Sequence, residues 1–238
     1  MATAKDTTGI VESIRQLTVA RDGAVKARSA ALCQLGDLIT TAPAELRERL
    51  TQRSSLEGKA TLCRQFRITN TGSIDPHQAA KLALRSVARR IADLNGEITT
   101  LDVELDRLVG IAAPTTITRL GIGTSHAATL LVAAGENIDR LTSKAAFAHL
   151  CGVAPIPASS GRTTRHRLNY SGNRQANRAL HMIVIVRLRY CPKTQAYMTR
   201  RPTEGRTKKE IIRCLKRYII QDIHRTPIAD LATLKERT

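Results

Sequence analysis

The chain has 238 residues and a formal net charge of +18, from 38 Lys and Arg against 20 Asp and Glu. Its 42% hydrophobic residues can form a core, which excludes wholesale disorder, and no apolar run approaches the ~18 residues of a membrane span. Aromatic residues are only 3%, which weakens the case for a base-stacking platform, and the opening MATAKDTTG lacks an apolar signal core, so a cytoplasmic location without a membrane partner is expected.

In chain order, residues 9–40 predict a long helix, because Ile10, Leu17, Ala24, Ala31 and Leu38 recur every seven residues, with Ile14 and Leu35 widening the stripe. Pro43 follows its end. Residues 44–66 predict a second, weaker helix carrying Leu46, Leu50, Leu56 and Leu62. The stretch ITNTGSIDP (68–76) is turn-rich. The strongest periodicity follows: Leu84, Val87, Ile91, Leu94, Ile98, Leu101, Leu105 and Leu108 alternate three and four apart. That is a coiled-coil seam, a scaffold or oligomerisation element. In a parallel homodimer Glu97 would face Asp102, so an antiparallel partner is favoured, such as the 9–40 helix with Arg15, Arg21, Lys26 and Arg28.

After Gly110 the character changes. Residues 118–135 (TRLGIGTSHAATLLVAAG) place an apolar helix, 127–134, behind Gly121-Ile122-Gly123. This has the look of a helix-hairpin-helix turn. Gly121 and Gly123 either let backbone approach a phosphate at a helix N-terminus or serve a plain tight turn. A short helix is expected at 143–151. Residues 153–173 (VAPIPASSGRTTRHRLNYSGN) predict ordered loop or short strand. Helices are expected at 174–190, near 194–201, and at 207–224 with Ile211, Ile212, Leu215, Tyr218, Ile219 and Ile223 buried. A loose tail is expected after 226. The expected fold is mainly α: a helical coiled-coil spacer (1–110), a small basic helical domain with the hairpin turn and a short irregular or β loop region (111–226), and a tail (227–238).

The charge is local. Residues 1–107 carry 16 basic and 13 acidic side chains, whereas 108–238 carry 22 and 7. Between Asp139 and Glu204 there are 12 Lys and Arg and no carboxylate side chain. Such a surface repels itself unless a polyanion neutralises it, and nucleic acid is the leading candidate. The same interval cannot supply the carboxylates of a metal site. Six scattered histidines lack ligand spacing, so no metal is expected in this chain. The five cysteines (33, 63, 151, 191, 214) form no CxxC and predict reduced, partly buried thiols.

The loop Ala158-Ser159-Ser160-Gly161-Arg162 carries the residues closest to nucleophile chemistry. A serine hydroxyl needs activation. Arg162, Arg165 and Arg167 could cradle a phosphodiester and stabilise its pentacovalent transition state. From the residues alone, a serine in a Gly/Arg loop is far more often a turn or phosphate-contacting residue than a nucleophile.

In order, the segments GIGTSHAATLLVAAGE, FAHLCGVAP, PIPASSGRTTRHRLNYSGN running into RQANRALHMIVIVR, and GRTKKEIIRCLKRYI resemble the C-terminal domain of the insertion-sequence family 110 transposases, also called recombinases. The resemblance covers about Leu108 to Thr226, and the region 9–108 fits the family's helical spacer. It implies a DNA recombinase with a composite active site: an N-terminal ribonuclease H-like domain with four carboxylates holding Mg²⁺, and a C-terminal serine nucleophile that joins covalently to a DNA strand. That serine maps to Ser160, with Ser159 as rival. It further implies DNA and a structured bridging RNA as partners. Arg162, Arg165, Arg167, Asn173, Arg174 and Arg178 are the expected strand contacts. Residues 1–8 lead directly into the spacer helix, so the carboxylate domain is expected to be missing and the chain alone to be inactive in metal-dependent cleavage. The alternative is a non-catalytic DNA- or RNA-binding module that oligomerises through the 84–108 seam.

Overall fold

The computed structural model describes residues 8–69, 75–135, 143–158, 166–167 and 169–237. The fold is mainly α, with ten helices and a two-residue antiparallel strand pair among the described residues. The chain divides into two compact units, one of residues 19–103 and the other of residues 1–18 with 104–238. Helices α1 (Ile10–Thr41) and α4 (Pro76–Ala112) contribute residues to both.

Within the 19–103 unit the two long helices run antiparallel. Arg21 pairs with Asp102, Arg28 donates to Asn95 at 3.2 Å, and Arg90 donates to Gln34 at 3.3 Å, so numbers rise on one helix as they fall on the other. The seam residues Leu84, Val87, Ile91 and Ile98 are buried, and Leu94 and Leu101 are half-buried. The antiparallel partner expected for this part of the seam is thus α1 of the same chain.

The expected helix 44–66 is instead two, α2 (Ala44–Thr51) and α3 (Leu56–Arg64). Ser55 is the reason: its side chain accepts from the Gly58 N–H at 3.0 Å, and a serine that caps one helix interrupts the helix before it. Leu46, Leu50, Cys63 and Phe66 close the core against Leu35, Leu84 and Ile91. Helix α4 opens on Pro76, where a missing N–H costs nothing, and the Asp75 carboxylate accepts from the His77 N–H at 2.9 Å.

The other unit is built around α5 (Thr124–Ala134) and α7 (Arg174–Tyr190), which pack on each other. Helix α5 carries no charged side chain and is apolar on most of its surface, the composition of an interior helix. Helices α6 (Lys144–Leu150), α8 (Pro192–Arg200) and α9 (Lys208–Ile223) complete the layer. Leu130, Leu131, Phe147, Leu180, Ile183, Ile211 and Ile220 are wholly buried, and Val11, Ile14, Leu105 and Val109 join this core. Capping fixes the starts of three helices. Ser143 caps α6, Asn173 caps α7, and Thr207 with Glu210 forms a reciprocal capping box on α9.

The expected loose tail is a helix, α10 (Arg225–Arg237). Pro227 falls in its first turn, where proline is tolerated, and Ile228 and Leu231 pack on the core. Asp230 anchors it, accepting from the Thr116 N–H at 2.9 Å and the Thr116 hydroxyl at 2.8 Å. Among the described residues, no helix is long and apolar enough to cross a membrane.

Candidate functional site

The loop from 153 to 173 leaves and re-enters the helical body at one point. Gly152 and Gly172 meet there backbone to backbone. A Cβ on Gly172 would fall 2.2 Å from both the N and Cα atoms of Gly152. Gly152 itself has φ +65°, a left-handed conformation that glycine adopts without strain. The Asn173 N–H donates to the Leu150 carbonyl at 2.7 Å, closing the neck from the far side.

Asn177, one turn into α7, holds this neck. Its Nδ2 donates to the carbonyls of Cys151 at 3.1 Å and Gly152 at 2.9 Å. Its Oδ1 accepts from Lys216 Nζ of α9 at 2.7 Å. Asn169 adds a turn of its own, accepting on Oδ1 from the Ser171 N–H at 3.0 Å and the Ser171 hydroxyl at 2.7 Å. Above the neck, β1 (Ile156–Pro157) pairs antiparallel with β2 (His166–Arg167), Ile156 opposite Arg167 and Pro157 opposite His166.

The stems of this loop form one wall of a groove of about 310 Å³. Val153, Ala154, Pro155, His166, Arg167 and Asn169 face α9 and the turn before it, which contribute Arg201, Arg206, Arg213, Lys216 and Arg217. Glu210 is the one carboxylate in the lining, and it is committed to the Thr207 N–H at 2.9 Å and the Thr207 hydroxyl at 2.8 Å. Those bonds hold its carboxyl below the usual range. Arg201 pairs with Glu204 and lies over the Tyr197 ring at 5.4 Å, yet its buried Nε has no acceptor. Burial, reinforced by the Arg213 cation, holds the Lys216 ammonium below the ordinary lysine range. No carboxylate among the described residues pairs with Arg167, Arg213, Lys216 or Arg217. The lining is thus an excess of fixed positive charge, suited to an anion with several oxygens.

A divalent metal ion of the kind the resemblance implies does not fit these residues. Glu210 is already bonded, and the described residues bring together no group of three or more His, Cys, Asp or Glu.

The sites expected from the sequence are distributed as follows. Ser159, Ser160, Arg162 and Arg165 lie outside the described residues. Arg167 lines the groove. Asn173 caps α7, accepting from the Ala176 N–H at 3.0 Å, and Arg174 and Arg178 are exposed on the first turns of that helix, outside the groove lining. Gly121 has φ +85°, and a Cβ there would lie 3.3 Å from the Ile183 carbonyl oxygen, so its missing side chain admits α7. Gly123, at the N-cap of α5, faces open space. Arg187 ties the turn before α5 down, donating to the Leu120 carbonyl at 2.9 Å and to Asp222 at 3.0 Å.

Sequence reasoning missed Gly152, Asn177 and the α9 cations as site residues. One signal was present. Arg213, Lys216 and Arg217 fall at i, i+3 and i+4, a basic stripe beside the apolar one.

The comparisons with known proteins give one family. Residues 116–199, which contain the turn at Gly121–Gly123, the loop and α7, match the family model described as Transposase IS116/IS110/IS902 family. No curated protein matches the chain.

Proposed function

We propose, with residues 116–199 taken as a transposase region of the IS116/IS110/IS902 family, that the chain acts in DNA transposition by holding a DNA strand in the basic groove beside the serine loop. One observation carries this reading: the stems on both sides of residues 159–165 line a groove whose charge is almost wholly positive. Ser160 stands three residues beyond Pro157 in the chain. In this reading it is the nucleophile, with Ser159 as rival. Its Oγ bonds to a phosphodiester phosphorus as the bond from phosphorus to one deoxyribose oxygen breaks. That oxygen leaves as a hydroxyl after taking a proton, and the serine proton passes to solvent. Arg162, Arg165 and Arg167 neutralise the charge that gathers on the phosphoryl oxygens. Any carboxylate-held Mg²⁺ for strand cleavage comes from residues other than those described. A structured bridging RNA, self-association and a cytoplasmic location belong to the same proposal.

The test is a trap for a covalent protein–DNA adduct in a system complemented with the metal-binding domain. The wild type forms the adduct, and Ser160→Ala binds DNA normally without forming it. Should Ser159→Ala lose the adduct while Ser160→Ala keeps it, the register moves by one residue. Tight, salt-sensitive DNA binding with no adduct from any variant leaves a non-catalytic binding module.

A further inference from the structure

Lys216 occupies two places at once. It lines the basic groove, and it props the neck of the serine loop. A lysine ammonium has three N–H donors. One goes to Asn177 Oδ1 at 2.7 Å, and the others have no acceptor among the described residues. Its neighbours along α9, Arg213 and Arg217, are cations. A half-buried ammonium beside the Arg213 guanidinium is an unfavourable arrangement on its own, and an anion relieves it. A residue whose sole role was to prop Asn177 would need neither charge nor a groove.

We propose that Lys216 is the anion-reading residue of the groove, and that it binds a phosphodiester oxygen with its free donors while its bound donor holds Asn177 and, through it, the loop neck. The proposal rests on the nucleic-acid reading above and deepens it. The ligand class is the backbone phosphate of a nucleic-acid strand. Lys216 is then a positioning residue for the serine loop as well as a phosphate contact, because Asn177 transmits its position to the carbonyls of Cys151 and Gly152. A phosphate seated on Lys216 and the backbone entering the loop are fixed to one another by two side chains.

The two roles separate by substitution. Lys216→Gln keeps a donor for Asn177 and removes the charge. Asn177→Ala keeps the charge and removes the neck bonds. Lys216→Arg restores a cation. Binding of short single-stranded DNA and RNA of one sequence is measured by anisotropy from about 50 to 200 mM salt, where each neutralised phosphate of a single strand adds about 0.7 to the slope of log K against log salt. Hydrogen exchange at Val153 and Asn173 reports the neck.

The expected result is a slope lower by about 0.7 for Lys216→Gln, restored in Lys216→Arg and unchanged in Asn177→Ala. Exchange at the neck is faster in Asn177→Ala and near wild type in Lys216→Gln. The oligonucleotide whose slope responds identifies the strand as DNA or RNA. A wild-type slope in Lys216→Gln overturns this inference and leaves the nucleic-acid reading standing. If the wild type binds neither oligonucleotide, inorganic phosphate decides. Thermal stabilisation lost in Lys216→Gln keeps the anion site and sinks the nucleic-acid reading, whereas no Lys216-dependent effect sinks both.

Discussion

Gly172 has no room for a side chain, and the reason is another glycine. A Cβ at 2.2 Å from two backbone atoms of Gly152 cannot be relieved by a rotamer change, so the backbones must part. Gly172→Ala is expected to cost about 1–3 kcal/mol, as overpacking does, and to release the neck. Gly123→Ala is the matched control, since its Cβ meets nothing within 4 Å and its φ is −90°. Urea denaturation of both variants checks the contrast, and equal loss in the two would sink the argument. The thiols give a second residue-scale expectation. Burial pushes Cys63 to about 11 and Cys151 to about 12, whereas hydrogen bonds from Thr194 and the nearby Arg187 cation bring Cys191 below the usual thiol range. A disulfide reagent should therefore modify exposed Cys33 and half-buried Cys191 first and reach Cys63 and Cys151 only on unfolding. The sign for stability follows. A buried thiol with a raised pKa favours the fold fully below the unfolded value near 9, and this contribution is lost as pH climbs through the folded values. Stability measured in urea should fall from pH 9 towards 11 and 12, less steeply in Cys151→Ala compared with its own value at pH 8.

At the scale of elements, the antiparallel pairing of α1 and α4 rests on apolar burial, with Arg21–Asp102 setting its register. The pair is partly solvated, so Asp102→Arg should cost under about 1 kcal/mol, and Arg21→Asp with Asp102→Arg should recover most of it. A double variant no better than the sum of the singles would remove the pair from the register argument. This pairing was legible because a three-four alternation and a like-charge clash are both written in one dimension. The extent of α7 is legible from its apolar stripe, whereas the capping role of Asn173, named from the sequence as a strand contact, is seen only in the fold. The single helix expected over 44–66 rests on Leu46, Leu50, Leu56 and Leu62, whose spacings of four, six and six lose the helical period after Leu50, and Ser55 caps a new helix there. Helix α10 is expected as a tail although Ile228, Leu231 and Leu234 are spaced three apart, because the segment is short and terminal. Its anchor, Asp230 on Thr116, lies more than a hundred residues away in the sequence. The groove fared likewise. Arg167 could be named from its loop, but the wall opposite comes from α9, and nothing in the sequence says that α9 faces the loop stems. Nothing in the sequence singles out Asn177, since its partners are carbonyls brought near only by the fold.

At the scale of the molecule, charge and architecture divide along the same line. The 19–103 unit holds 13 basic and 9 acidic side chains, whereas residues 1–18 with 104–238 hold 25 and 11. Self-repulsion is therefore concentrated in the unit that contains the groove. Screening acts over a Debye length of about 10 Å at 0.1 M salt and about 3 Å at 1 M, so added salt relieves repulsion between the cations of the second unit. In the first unit, salt acts on charges of both signs and largely cancels. A polyanion seated in the groove as proposed does more than salt to the extent that it binds the folded groove more tightly than the dispersed cations of an unfolded chain; at a hundred times its Kd it stabilises by at most about 2.7 kcal/mol. Residue-resolved hydrogen exchange should then show protection rising with sulfate, and rising further with DNA, in α5, α7 and α9. Amides of α2, α3 and the middle of α4 should change little. Equal gains in both units would mean that the ions act on the whole chain through exclusion from its surface. Gains confined to the second unit would place the stabilising anion where the excess charge and the serine-loop stems coincide.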